Sequence, residues 1–111
     1  MSDLTTKRCA PCTQSTPRVP PDEVTRLLAT LPGYQADPLV RSISKVYGFD
    51  DFYETMAFVN AVAYIAHVED HHPDLAVSYN RCAVTYTTHA IGGLSENDFI
   101  CAAKVDALIR L

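Results

Sequence analysis

The sequence predicts an α+β domain in which a four-stranded antiparallel sheet carries helices packed on one face, in the order α-β-β-α-β-β-α. Three observations carry this. Two pairs of period-two segments are separated by turn residues, helical apolar stripes lie before, between and after those pairs, and no strand–helix alternation of the parallel type occurs. At 111 residues, with 48% hydrophobic and 20% charged content and a mean hydropathy of +0.00, the chain has the composition of one folded domain rather than a disordered one.

Residues 1–19, with Thr5-Thr6, Pro11, Ser15-Thr16 and Pro17, show no periodic apolar face and read as a flexible or loosely docked leader; residues 20–111 form the single domain. Pro20-Pro21, then Asp22 and Glu23, open a helix whose Val24, Leu27, Leu28 and Leu31 recur at helical spacing until Pro32-Gly33 stops it. Leu39 to Phe49 places Leu39, Ile43, Tyr47 and Phe49 on one parity of a strand, with Arg41 and Lys45 between them. Tyr34 to Ala36 is its partner across an Asp37-Pro38 turn.

Asp51 and Glu54 form a capping box for a long helix toward Asp70. Phe52, Met56, Val59, Ala63 and Ala66 make one stripe, and Phe58, Val62 and Ile65 a second. A helix apolar on two faces must be covered twice, so one cover is expected to be the domain's own sheet and the other a second subunit, the alternative being a tightly wrapped monomer. Pro73 ends this helix near Asp70 or His71. Leu75, Val77 and Tyr79, then Cys82, Val84 and Tyr86, alternate as two strands joined around Asn80-Arg81, and Gly92-Gly93 ends the second. Ser95 with Asp98 caps the final helix, with Leu94 and Phe99 placed as a hydrophobic staple and Cys101, Ala102, Val105, Leu108 and Ile109 as its stripe.

The longest apolar run, Ala61 to Ala66, is far short of a membrane span or a signal-peptide core. A formal charge of −4 offers no field for a phosphate backbone. The expectations are a cytoplasmic protein with no membrane and no direct nucleic-acid partner. Cys9, Cys12, Cys82 and Cys101 do not suggest a disulfide framework, and Cys9-x-x-Cys12 is half a zinc ribbon without its other half.

The chemistry concentrates in four histidines, at 67, 71, 72 and 89. Histidine both gives and takes a proton near neutral pH, so two flanking one substrate supply a general acid and a general base. His67 and His71 stand four apart on one helical face, which raises a metal site as a rival, but Val68 breaks the His-Glu-x-x-His pattern and no metal is expected. Neither a phosphate-binding glycine loop nor a dinucleotide fingerprint is present. Proton transfer on a small molecule, without a cofactor, is what remains.

The spaced set His71-His72-Pro73, Tyr79, Thr88-His89, Gly92-Gly93-Leu94 and Asp98 resembles the signature of the pterin-4a-carbinolamine dehydratases, and the resemblance extends through Pro32-Gly33-Tyr34, Lys45 to Phe49 and Phe52. It implies a small α+β protein, assembled as a homodimer or homotetramer, that removes water from 4a-hydroxytetrahydrobiopterin to give quinonoid dihydrobiopterin, without metal or organic cofactor, and so recycles the pterin used by aromatic amino-acid hydroxylases. Carried over by position, His71, His72 and His89 match the active-site histidines, with His71 and His89 moving protons and His72 mainly binding pterin; Pro73, His67 and Thr88 complete the substrate contacts. Three positions depart from the pattern. His67 stands where many members have an acid, Tyr34 where tryptophan is common, and Ile91 where some animal members have cysteine. The resemblance also implies an alternative: a non-catalytic dimerisation or transcription-cofactor protein that uses the long helix, or action on another pterin such as molybdopterin.

Overall fold

The computed structural model describes residues 4–109 and contains three α-helices and one four-stranded sheet. In chain order these are α1 (Pro21–Leu28), β1 (Gln35–Ala36), β2 (Ile43–Gly48), α2 (Phe52–Glu69), β3 (Asp74–Val77), β4 (Arg81–Tyr86) and α3 (Glu96–Ala107). The sheet order is β1-β2-β4-β3, antiparallel throughout, with Ile43 opposite Tyr86 and Tyr47 opposite Cys82. The α+β class and the predicted element order are both observed.

Strand parity decides what is buried. Ile43, Tyr47, Cys82, Val84 and Tyr86 point to the helices and are buried, while Ser44, Val46 and Arg81 on the opposite parity are exposed. Leu94 and Phe99 are both buried at the start of α3, as the staple requires. Of the two stripes on α2, Phe58 and Val62 of the second enter the core, whereas Phe52 and Ala63 of the first are exposed, as are Tyr53, Tyr64 and Val68 outside both stripes.

Some boundaries differ from expectation. Leu39 lies in a turn and is exposed, because Asp37 Oδ1 accepts from Arg41 N and Ser42 N and Val40 adopts a left-handed φ of 54°, so pairing begins only at Ile43. Tyr79 belongs to the β3–β4 turn closed by Ser78 N donating to Arg81 O at 2.9 Å. Glu54 reaches back to Asp50 N rather than to the cap residue itself, although Asp51 accepts from Glu54 N. Ile109 lies beyond α3 and is exposed, while Cys101, Ala102 and Val105 are buried as expected.

The leader is docked along α3. Leu4 is buried, Ala10 N donates to Asn97 Oδ1, Asn97 Nδ2 donates to Ala10 O, and Val19 N donates to Leu94 O.

Toward the C-terminal end of α3, Asp106 is buried and accepts from Lys45 Nζ at 2.6 Å, with the Tyr47 hydroxyl 3.0 Å from the same oxygen and the Tyr34 hydroxyl 3.0 Å beyond it. Burial, first of all causes, pushes the phenols of Tyr34, Tyr47 and Tyr86 well above the ordinary tyrosine range. A pKa raised on folding contributes stability that is complete below the unfolded value near 10 and is lost as pH rises above it. In an ultraviolet absorbance titration, Tyr34, Tyr47 and Tyr86 are therefore expected to ionise only together with alkaline unfolding. Ionisation of these three before any loss of structure would contradict this packing.

Candidate active site

The site is assembled where α2 ends, where β4 ends and where α3 begins. Helix α2 terminates at Asp70, which takes the left-handed conformation at φ 53° and ψ 44°, and His71 N donates to Ala66 O at 3.2 Å. Aspartate tolerates this geometry better than most non-glycine residues. The reversal brings His71 out of the helix and back toward α3.

There its Nε2 lies 2.6 Å from Asp98 Oδ1. Asp98 is completely buried and its other oxygen accepts from Thr88 Oγ1 at 2.8 Å and from Ser95 N at 3.0 Å. Ser95 Oγ lies 2.7 Å from Thr88 Oγ1 and extends the network. A carboxylate only accepts, so this contact selects the form of the ring that carries a proton on Nε2, which leaves Nδ1 facing away from Asp98. The opposite side of the ring environment is set by Tyr86, whose ring is stacked on His71 at 5.9 Å and 10°. The Tyr86 hydroxyl has no hydrogen-bond partner among the described residues.

His72 and His89 are exposed, and their rings approach to 6.4 Å with 29° between planes. His89 opens a one-turn 3-10 segment, His89–Ile91, closed by Thr88 N donating to Gly93 O at 2.9 Å. Arg18 fastens the same loop by donating from Nε and Nη2 to Ile91 O. His71 is thus held from behind, while His72 and His89 stand at solvent.

The remaining predicted contacts divide. Pro73 is partly buried directly after His72. Thr88 is buried, with its hydroxyl donating to Asp98 Oδ2 and lying 2.7 Å from Ser95 Oγ. His67 is exposed on α2, one turn before His71, and has no ring contact with the other histidines among the described residues.

Asp98 is the residue whose role sequence reasoning understated, since Ser95-x-x-Asp98 reads as a helix cap. The cap itself is the signal: it fixes a buried carboxylate at a helix start, where a side chain from another element can meet it.

Glu69, one residue before the reversal, is buried. Burial opposes its charge, but the Cys9 N–H at 2.8 Å, together with Lys104 and Arg8, holds its carboxyl below the usual range. Among the described residues no group of three histidine, cysteine or acidic side chains is arranged to hold a metal. A cavity of about 870 Å³ beside Lys45, Ala103 and Asp106 lies toward the other end of α3 and contains no histidine.

The family model for pterin 4 alpha carbinolamine dehydratase matches residues 17–108. The chain belongs to the pterin-4a-carbinolamine dehydratase family. It is 55% identical over 111 residues to a protein of Nitrosospira multiformis provisionally named pterin-4-alpha-carbinolamine dehydratase, covering 100% of this chain and 96% of that one. A solved structure described as a transcriptional coactivator/pterin dehydratase from Brucella melitensis superposes with a TM-score of 0.80 at 33% identity, covering 83% of this chain and 98% of that chain. A second, described as a pterin dehydratase-like protein that is a RuBisCO assembly factor in the alpha-carboxysome, gives 0.57 at 26% identity over 69% of this chain and 87% of that chain. Family members therefore carry roles beyond dehydration in their descriptions. No helix among the described residues of this member is long and apolar enough to cross a membrane.

Proposed function

We propose that the chain dehydrates 4a-hydroxytetrahydrobiopterin to quinonoid dihydrobiopterin in the cytoplasm, returning to use the pterin spent by an aromatic amino-acid hydroxylase. The reaction breaks the C4a–O bond, delivers a proton to the departing hydroxyl to form water, and removes the N5 proton as the N5=C4a double bond forms. One proton enters and one leaves, so a pair of histidines completes the cycle without net proton uptake.

The observation that carries this reading is the His71–Asp98 contact of 2.6 Å. A buried carboxylate behind Nε2 fixes the ring's tautomer and stabilises the imidazolium formed when the other nitrogen takes a proton, as an orienting aspartate does for a histidine base elsewhere. His71 is accordingly assigned to the N5 proton. His89, on the short loop after β4, is assigned to the hydroxyl, and His72, beside it, to holding the pterin ring. Pro73 borders the ring site, and His67 lies at its rim.

The test of the site is histidine-resolved NMR during titration with 7,8-dihydrobiopterin, a stable pterin. The imidazole signals of His71, His72 and His89 are expected to shift together and saturably. Saturable binding that moves none of the three, or no binding at all, would contradict the assignment.

A second reading is favoured by the exposed Phe52, Tyr53, Tyr64 and Val68 on α2. That face suits a homodimer or homotetramer contact, and on the same scaffold it suits a dimerisation or transcription-cofactor role. Chemistry on a related pterin such as molybdopterin would use the same histidines.

A further inference from the structure

Cys9 of the leader and Cys101 of α3 are separated by 92 positions in sequence, yet their sulfurs lie 3.5 Å apart. The approach is built rather than incidental. Asn97 and Cys101 are four residues apart and share one face of α3. The Asn97 amide clamps the Ala10 backbone in both directions, at 3.0 and 2.6 Å, while Cys9 N donates to Glu69 Oε1 at 2.8 Å. Holding the backbone on both sides of Cys9 sets its thiol over Cys101. Cys12, the other half of the Cys-x-x-Cys pair, is turned elsewhere: its sulfur accepts from Asn97 Nδ2 at 3.1 Å and lies near Ser95 Oγ.

We propose that Cys9 and Cys101 are an oxidation site at which hydrogen peroxide closes a reversible disulfide, fastening the leader to the helix that carries Asp98. Cys9 is partly exposed and Cys101 is fully buried, so peroxide meets Cys9 first. The Cys9 thiol gives up its proton as its sulfur attacks one peroxide oxygen, the O–O bond breaks, and the departing hydroxide takes that proton to leave as water, with Cys9 now a sulfenic acid. Cys101 sulfur then attacks the Cys9 sulfur, the S–O bond breaks, and the departing hydroxide takes the Cys101 proton to leave as a second water. Two thiols lose two electrons and two protons, and one peroxide accepts them. The contact with Cys9, followed by burial, raises the Cys101 thiol, so peroxide reacts at Cys9 rather than at Cys101. The 3.5 Å separation must shorten to a bond of about 2.05 Å, a movement within reach of a partly exposed segment.

The site is tested on the full-length protein, reduced and then treated with hydrogen peroxide, by non-reducing peptide mass mapping and thermal unfolding. The expected product is a single intramolecular Cys9–Cys101 cross-link, two hydrogens lighter than the reduced peptides. Its melting temperature should rise on the order of 10 °C, because the bond closes a long loop, and the rise should be reversed by dithiothreitol. Cys12→Ser should still form the cross-link. Cys9→Ser, a change at a partly exposed position, should show neither the cross-link nor the rise. A Cys9–Cys12 disulfide, a cross-link between chains, sulfinic acid at Cys9, or thiols left unreacted would each overturn the proposal.

Discussion

Alanine at His71 or at His89 is expected to lower the rate of pterin dehydration by on the order of 10²- to 10⁴-fold, the usual loss when one positioned acid or base is removed. The two variants should differ in stability. His89 is exposed, so its removal leaves the fold intact and the loss of rate stands alone. The His71 side chain is only 12% exposed and supplies the donor for Asp98 Oδ1, so its removal also leaves a buried acceptor unpaired, at a cost of about 1–3 kcal/mol. Kinetics on both variants, beside denaturant unfolding, separates the two effects. His89→Ala with undiminished rate would remove His89 from the mechanism.

The larger structural effect is expected at Asp98. Alanine there removes the acceptor of three groups at once: His71 Nε2, the Thr88 hydroxyl and Ser95 N. Loss of a helix cap costs about 0.5–2 kcal/mol, and each buried donor left unsatisfied about 1–3 kcal/mol. Because the three share one site, the sum is less than additive, and a loss of about 3–5 kcal/mol is expected in denaturant unfolding. Asp98→Asn separates support from packing. It keeps the volume but faces Nε2–H or the other donors with an amide that can accept on one atom only, so the His71 tautomer is no longer imposed. Its kcat should fall by on the order of 10²-fold or more while KM changes little, since His72 and the ring site are untouched. An Asp98→Asn enzyme with unchanged kcat would show that His71 does not depend on this contact.

These effects also show what the sequence made legible. Period-two burial gave β2 and β4 their correct faces, because Ile43, Tyr47, Cys82, Val84 and Tyr86 have no alternative once one sheet face is covered, whereas Val77 of the edge strand β3 stays exposed. Strand ends were harder to read. Leu39 and Tyr79 share the parity of their strands, but the hydrogen bonds to the Asp37 carboxylate and the Ser78–Arg81 turn, both local polar choices, stop the pairing earlier. The clustering of histidines pointed to the chemistry, and the spaced motif around His71-His72-Pro73 to the family. The link between His71 and Asp98 spans 27 positions and follows no periodicity, so a capping box concealed it. Where the leader docks was illegible for the same reason: its partners, Asn97 and Glu69, are polar side chains far away in sequence.

The most direct test of the central claim is the rate at which 4a-hydroxytetrahydrobiopterin, generated in situ, converts to quinonoid dihydrobiopterin with and without the wild-type protein. A rate that rises in proportion to substoichiometric protein, without added metal or cofactor, is the predicted result. A rate equal to that of the uncatalysed reaction, with the protein folded and at the same concentrations, would contradict a dehydratase and leave the exposed face of α2 as the functional surface.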